Sequence, residues 1–181
     1  MRALQENWMG CAMKKRNGKF NASKTEVDGI VFDSKAEAEF HLWLKEIQPF
    51  FGFTCQLQPE YILLGKTVKH GRTFNPIKYK SDFLLRFPCG TQLVIDVKGM
   101  LTPEFKLKEK LFFAKFDEEL ICVSKSNIDG GWIREPNLKH NRKIRKAIKE
   151  GDLKKADRLG DPLPDFKTEL VSRFLNQEVD K

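Results

Sequence analysis

Two aspartates and a lysine stand out of an otherwise apolar stretch: Asp82, then Asp96, then Lys98 two residues on. Two carboxylates brought together repel, and one is partly protonated unless a cation lies between them. A few hard oxygen ligands with retained waters describe a magnesium site. Such an ion lowers the pKa of a bound water and neutralises charge on a phosphodiester. A lysine in the same space could orient or activate that water, or stabilise the extra negative charge of the transition state. These residue types therefore point to metal-assisted phosphodiester hydrolysis, provided that the chain brings them to one face. The competing reading is an exposed pair of aspartates with Lys98 as a simple cross-strand ion pair.

The elements that must do the positioning are two strands. Residues 78–87 and 91–99 are rich in apolar and β-branched types, and Pro88-Cys89-Gly90 separates them, which reads as a β-hairpin. Pro88 suits the first position of a turn and Gly90 a left-handed one, as a three-residue loop requires. Phe87 then faces Thr91, and Asp82 lies opposite Asp96. Asp96 and Lys98 share a face by alternation, and opposed residues share it too. A two-residue loop would shift the register and send Asp82 to the other face.

A helix is expected ahead of this hairpin. Ser34 and Glu37 fit a capping box, Ala36, Phe40, Trp43, Leu44 and Ile47 recur at helical spacing, and Pro49 should end the helix. Glu37 lies on the side of Phe40, His41 and Leu44, so besides capping it could reach the hairpin as an outer metal ligand. His41 and His140 read as structural or surface groups. Residues 53–64 read as a strand that Pro59 marks as an edge or bulge, and 65–75 as a polar, basic loop. Thr102-Pro103-Glu104 opens a second helix whose buried stripe is Phe105, Phe112 and Phe116. The apolar run 120–123 is an inner strand, completing a right-handed βαβ unit. The order from residue 34 to 123 is helix, three strands, helix, strand: an α/β fold with a mixed sheet and helices on its faces.

The flanks differ in charge. The chain of 181 residues carries a net +8, with +5 in residues 1–24, +6 in 137–160, −2 in 161–181 and −1 in the remainder. A nearly neutral core between basic segments suggests a polyanion partner, most simply nucleic acid. Residues 1–24 read as a basic arm, 25–32 as a short strand or turn around Asp28-Gly29, and 25–124 as the core. Residues 125–181 form a basic, mainly helical C-terminal extension, with a basic helix at 137–150 and a last helix capped by Asp165. Lys80, the run Lys106, Lys108 and Lys110, and Arg142, Lys143 and Lys146 are the candidate nucleic-acid contacts. No apolar run approaches the roughly 20 residues that span a bilayer, and the N-terminus has no secretory pattern. The four cysteines are scattered and make no zinc site, which suits reduced thiols in a cytoplasmic protein.

Asp82 followed by Asp96-Val97-Lys98 resembles the motif of the PD-(D/E)XK nuclease superfamily, and the element order resembles its αβββαβ, restriction-endonuclease-like core. Residues 25–38, Leu57-Gln58-Pro59, Tyr79-Lys80-Ser81-Asp82-Phe83 and Asp96-Val97-Lys98-Gly99 more closely resemble small phage-encoded endonucleases of that superfamily, formerly a domain of unknown function. The resemblance covers about residues 14–124. It implies a magnesium-dependent endonuclease acting on DNA, with manganese able to substitute. Asp82, Asp96 and Glu37 would be metal ligands and Lys98 the catalytic lysine. Ser81 stands where the motif's proline would be, and Asp96 is the less common of the two acids allowed. A branched or flapped phage DNA substrate, in a host cytoplasm, is the first expectation. A homodimer would let two sites act on two strands, and the C-terminal extension could dock a phage or host protein. The rival expectation is a catalytically silent DNA-binding protein of the same fold.

Overall fold

The computed structural model describes residues 14–17, 23–98 and 101–175. The chain divides into two compact units, Met1–Leu44 and Lys45–Lys181.

In the first unit, β1 (Lys14–Asn17), β2 (Ser23–Val27) and β3 (Ile30–Phe32) form an antiparallel sheet in that order. The basic arm expected over residues 1–24 thus contains strand backbone, and the rest of it lies outside the described residues. Val27 pairs with Ile30 across Asp28 and Gly29, whose φ angles of +53° and +77° are those of a two-residue hairpin turn. Helix α1 (Lys35–Phe51) follows and runs on into the second unit. It buries Ala38, Phe40, Leu44 and Ile47. Pro49 does not stop it as expected: the helix ends two residues later, and Gly52 turns the chain at φ +65°.

The second unit is built on a five-stranded mixed sheet. Its strands are β4 (Thr54–Leu57), β9 (Phe83–Arg86), β10 (Gln92–Val97), β11 (Glu119–Ser126) and β12 (Gly131–Arg134), in the order β12-β11-β10-β9-β4. Only β10 and β11 run parallel, joined over α2 (Pro103–Phe113). Thr102 caps α2, its Oγ1 accepting from the Phe105 N–H, and Pro103 occupies the first turn. One face of the sheet packs Leu84, Val94, Leu120 and Cys122 under Phe105 and Phe112 of α2. Tyr61 and Tyr79 close this cluster, meeting Phe112 edge-on at 5.0 and 6.0 Å.

The expected strand over 78–87 and the expected strand over 53–64 are each broken in two. β5 (Glu60–Leu64) and β8 (Ile77–Lys80) pair with each other in a separate antiparallel ribbon. The breaks face one another. The Gln58 N–H donates to the Asp82 carbonyl at 2.9 Å, and the Ser81 N–H to the Pro59 carbonyl at 3.1 Å. Pro59 has no N–H for a ladder, and Gln58 takes a left-handed φ of +50°. The expected loop at 65–75 is instead a second small ribbon, β6 (Thr67–Lys69) and β7 (Arg72–Phe74), turned by His70 and Gly71 at φ +52° and +70°. Beyond β12 the chain is helical: α3 (Glu135–Lys149), α4 (Leu153–Leu159) and α5 (Phe166–Phe174). Among the described residues, no helix is long and apolar enough to cross a membrane.

Candidate active site

The turn at Pro88 to Gly90 sets the geometry of the site. The Gly90 N–H donates to the Phe87 carbonyl at 2.9 Å, Gly90 lies at φ +86°, and the Phe87 N–H donates to the Thr91 carbonyl at 2.9 Å. The register follows: Arg86 faces Gln92, Leu84 faces Val94 and Phe83 faces Ile95. The regular pairing stops at Phe83 and Ile95: the Asp82 N–H also donates to the Ile95 carbonyl at 3.1 Å, so the register is irregular where the expected Asp82–Asp96 pair would fall.

The ladder ends there. In this register Ser81 and Val97 would exchange the next pair of backbone bonds. Ser81 instead turns to Pro59, and the Val97 N–H donates to Asp82 Oδ2 at 2.6 Å. A side-chain carboxylate has taken a backbone carbonyl's place, which holds Asp82 at the end of β10. Asp96, 1 % exposed, is held twice. Its Oδ2 accepts from the Tyr79 hydroxyl at 2.5 Å, and its Oδ1 lies 2.7 Å from Lys98 Nζ. The Lys98 ammonium also sits 5.0 Å over the Phe105 ring, a cation–π contact supplied by α2. The Lys98 backbone is fixed from β11: its N–H donates to the Val123 carbonyl at 2.9 Å, and Ser124 Oγ donates to its carbonyl.

The electrostatics follow from burial and charge. Burial disfavours the Lys98 ammonium, but the Asp96 charge and hydrogen bond, with Asp82 behind them, outweigh it and raise the Lys98 pKa. Burial, then the charge and hydrogen bond of Asp96, push the Tyr79 phenol far above its ordinary value, so it stays a donor. Burial is likewise the main cause of the high pKa of the Cys122 thiol, which lies beside Asp96 in the parallel register.

The family model that matches residues 17–128 is described as a protein of unknown function, DUF1064. The chain belongs to this family. No curated protein matches it. The DUF1064 segment contains every element around Asp82, Asp96 and Lys98, and stops short of α3, α4 and α5.

The other candidates of this DUF1064 chain lie on several elements. Glu37 belongs to the first unit, where it closes the capping box: Ser34 Oγ donates to Oε1 at 2.8 Å, and the Glu37 N–H donates to Ser34 Oγ at 3.2 Å. Lys80 is exposed at the end of β8. Lys106 and Lys110 are exposed on α2, while Lys108 pairs with Glu104 at 2.8 Å. Arg142, Lys143 and Lys146 are exposed on α3, with Lys146 3.7 Å from Glu150. His140 is a surface group, its Nε2 3.3 Å from the Asp161 carbonyl.

Three participants escape sequence reasoning: Tyr79, Phe105 and Ser124. Tyr79 and Phe105 look like ordinary core aromatics, and no local spacing ties Tyr79 to Asp96 across the strand break. Ser124 is reached only through the parallel pairing of β10 with β11. Among the described residues, no group of three or more His, Cys, Asp or Glu side chains is placed to hold a metal. Asp82 and Asp96 are the hard-oxygen groups that a cation such as magnesium could use here, and both are already engaged, Asp82 by the Val97 N–H and Asp96 by Tyr79 and Lys98.

Proposed function

We propose that this chain is a metal-dependent DNA endonuclease of the PD-(D/E)XK type. The observation that carries the reading is the meeting of Asp82, Asp96 and Lys98 at one end of the β9–β10 pair, with Asp96 oriented by Tyr79. A buried carboxylate held by a phenol and an ammonium is costly to keep for stability alone, since apolar residues of like volume do as well or better. The sequential order α1, β4, β9, β10, α2, β11 supports an αβββαβ core. Membership of a family without assigned function leaves the chemistry of the site as the argument.

Asp82 and Asp96 would hold a magnesium ion, or manganese in its place, and the ion would supply a water of lowered pKa and charge neutralisation at the phosphate. Asp82 is oriented for this by the Val97 N–H and Asp96 by Tyr79, and an ion at Asp96 would share Oδ1 with the Lys98 ammonium 2.7 Å away. Lys98 directs its ammonium to the same space. It orients the attacking water and stabilises the charge that builds on the phosphoryl oxygens as the water oxygen bonds to phosphorus and the P–O ester bond breaks. DNA with branches or flaps is the first substrate to try, because the sequence offers no obvious base-reading module.

The test is cleavage of a labelled four-way junction, flap, duplex and single strand with magnesium or EDTA, comparing wild type with Lys98→Ala. Metal-dependent cutting reduced about a hundredfold or more by Lys98→Ala is expected. A variant that cuts as well as wild type would refute the assignment of Lys98. DNA binding without cutting under magnesium and manganese would move the chain to the catalytically silent class.

A further inference from the structure

The β6–β7 ribbon has no part in the folded core. Arg72, Thr73 and Phe74 are all exposed, as are Val68 and Lys69 opposite them. Val68 is 64 % and Phe74 48 % exposed, and the ribbon continues the β5–β8 pair, whose outward Ile62 and Leu64 are about half exposed at 47 % and 50 %. An isolated two-stranded hairpin is marginal in water. This one is anchored at its base, where Tyr61 and Tyr79 enter the core and Lys115 Nζ donates to the Ile62 carbonyl at 2.5 Å.

Its charge is one-sided. Residues 65–76 contain Lys66, Lys69 and Arg72 and no acid. Among the described residues, none of the three has a carboxylate partner; Arg72 lies 5.6 Å over the Phe74 ring. By contrast Lys78, nearer the base, is neutralised by Glu60 at 2.7 Å. Exposed cations without a carboxylate partner on a bare ribbon match a polyanion, and a two-stranded ribbon is one of the two elements that a DNA major groove admits.

The ribbon also leads to the candidate site. Strand β8 carries Tyr79, the donor to Asp96, and runs through Ser81 into Asp82. From the turn at His70-Gly71 to Asp82 the extended chain spans at most roughly 40 Å, little more than one turn of duplex. We propose that the β6–β7 ribbon is a DNA-backbone clamp: Lys66, Lys69 and Arg72 seat on duplex phosphates within about one helical turn of the bond addressed by Asp82, Asp96 and Lys98. The inference rests on the nuclease reading for its substrate.

The experiment measures binding of a labelled duplex about three helical turns long, in EDTA, over a series of salt concentrations. It compares wild type with the triple variant K66A/K69A/R72A and the charge-retaining triple variant K66R/K69R/R72K. Each lost phosphate contact lowers the slope of log affinity against log salt by about 0.9, so the alanine variant should lose about 2 to 3 in slope and bind about tenfold to a hundredfold more weakly. The charge-retaining variant should restore both. An unchanged slope in the alanine variant, or failure of the charge-retaining variant to restore it, overturns the clamp. Hydrolysis of bis(4-nitrophenyl) phosphate, too small to reach the ribbon, separates the two readings. The alanine variant should match wild type there, and Lys98→Ala should not. A lost slope with no hydrolysis by wild type would keep the ribbon as a DNA contact and sink the nuclease reading. Full hydrolysis and an unchanged slope would do the reverse.

Discussion

Tyr79→Phe isolates one interaction that the fold makes at the centre of the site. The substitution removes the phenolic oxygen and keeps the ring, which is 4 % exposed and packed among Tyr61, Phe105 and Phe112. What disappears is the 2.5 Å hydrogen bond to a carboxylate that is itself 1 % exposed. A hydrogen bond to a charged group contributes about 1.5–3 kcal/mol, and no water reaches so buried an oxygen to replace it. The expected loss of stability at pH 7 is therefore about 2 kcal/mol, a fall in Tm of about 4–8 °C for a chain of this size. Urea unfolding at constant temperature gives the free energy, and a double-mutant cycle with Asp96→Leu gives the coupling. In the Asp96→Leu background the phenol is left buried without its acceptor, so Tyr79→Phe should cost nothing or be stabilising. The pH dependence supplies a second reading. The Tyr79 pKa is raised, so the folded chain keeps a proton that the unfolded chain releases near about 10. Stability from this group is complete below that pH and is lost above it, and Tyr79→Phe should lack that increment. Cleavage, if the proposed activity holds, should fall about tenfold to a hundredfold through misorientation of Asp96. Equal losses in the two backgrounds, or a loss below about 0.5 kcal/mol in the wild-type background, would refute the account of how Asp96 is held.

Two glycines with nearly the same φ should behave differently. Gly130 lies at φ +84°, where a Cβ would stand 2.6 Å from Asp165 Oδ2, and Asp165 is the cap of α5. Gly90 lies at φ +86° in open space. Urea unfolding should show Gly130→Ala costing about 2–3 kcal/mol, through strain and a displaced cap, and Gly90→Ala about 1 kcal/mol through strain alone. Asp129 should dominate a separate acid limb. Although burial opposes its charge, hydrogen bonds from Arg145, Ser126 and Asn141 lower its pKa from 3.8 to about 2. Its stabilisation is present above 3.8 and is lost as pH falls toward about 2. Asp129→Asn should be less stable than wild type at pH 7 by about 1–2 kcal/mol, and thermal melts should converge only as the pH falls to about 2.

The local chemistry of the chain decided more of this site than its brevity suggests. Pro88 and Gly90 specify a three-residue turn, and that turn sets the register from Phe87–Thr91 to Phe83–Ile95 that delivers Asp82 to the end of β10. Ser34 with Glu37, and Thr102 with Pro103, mark two helix starts because capping is a property of neighbouring residues. Pairings that depend on distant segments were not legible. The breaks at Gln58-Pro59 and Ser81-Asp82 need each other, since each satisfies the other's backbone groups, and Pro59 alone suggested only a bulge. His70-Gly71 turns a ribbon whose strands are too short and mixed to show a period. Helix α1 passes through Pro49 because only its final residues follow it. The sequence by itself determined that a hairpin with a three-residue turn would carry Asp82, Asp96 and Lys98, the candidate residues. Only the tertiary structure decided that Tyr79, Phe105 and Ser124 hold Asp96 and Lys98 in place. Those contacts cross a strand break, a helix-to-sheet packing and a parallel pairing, and no local rule of the chain reaches across them.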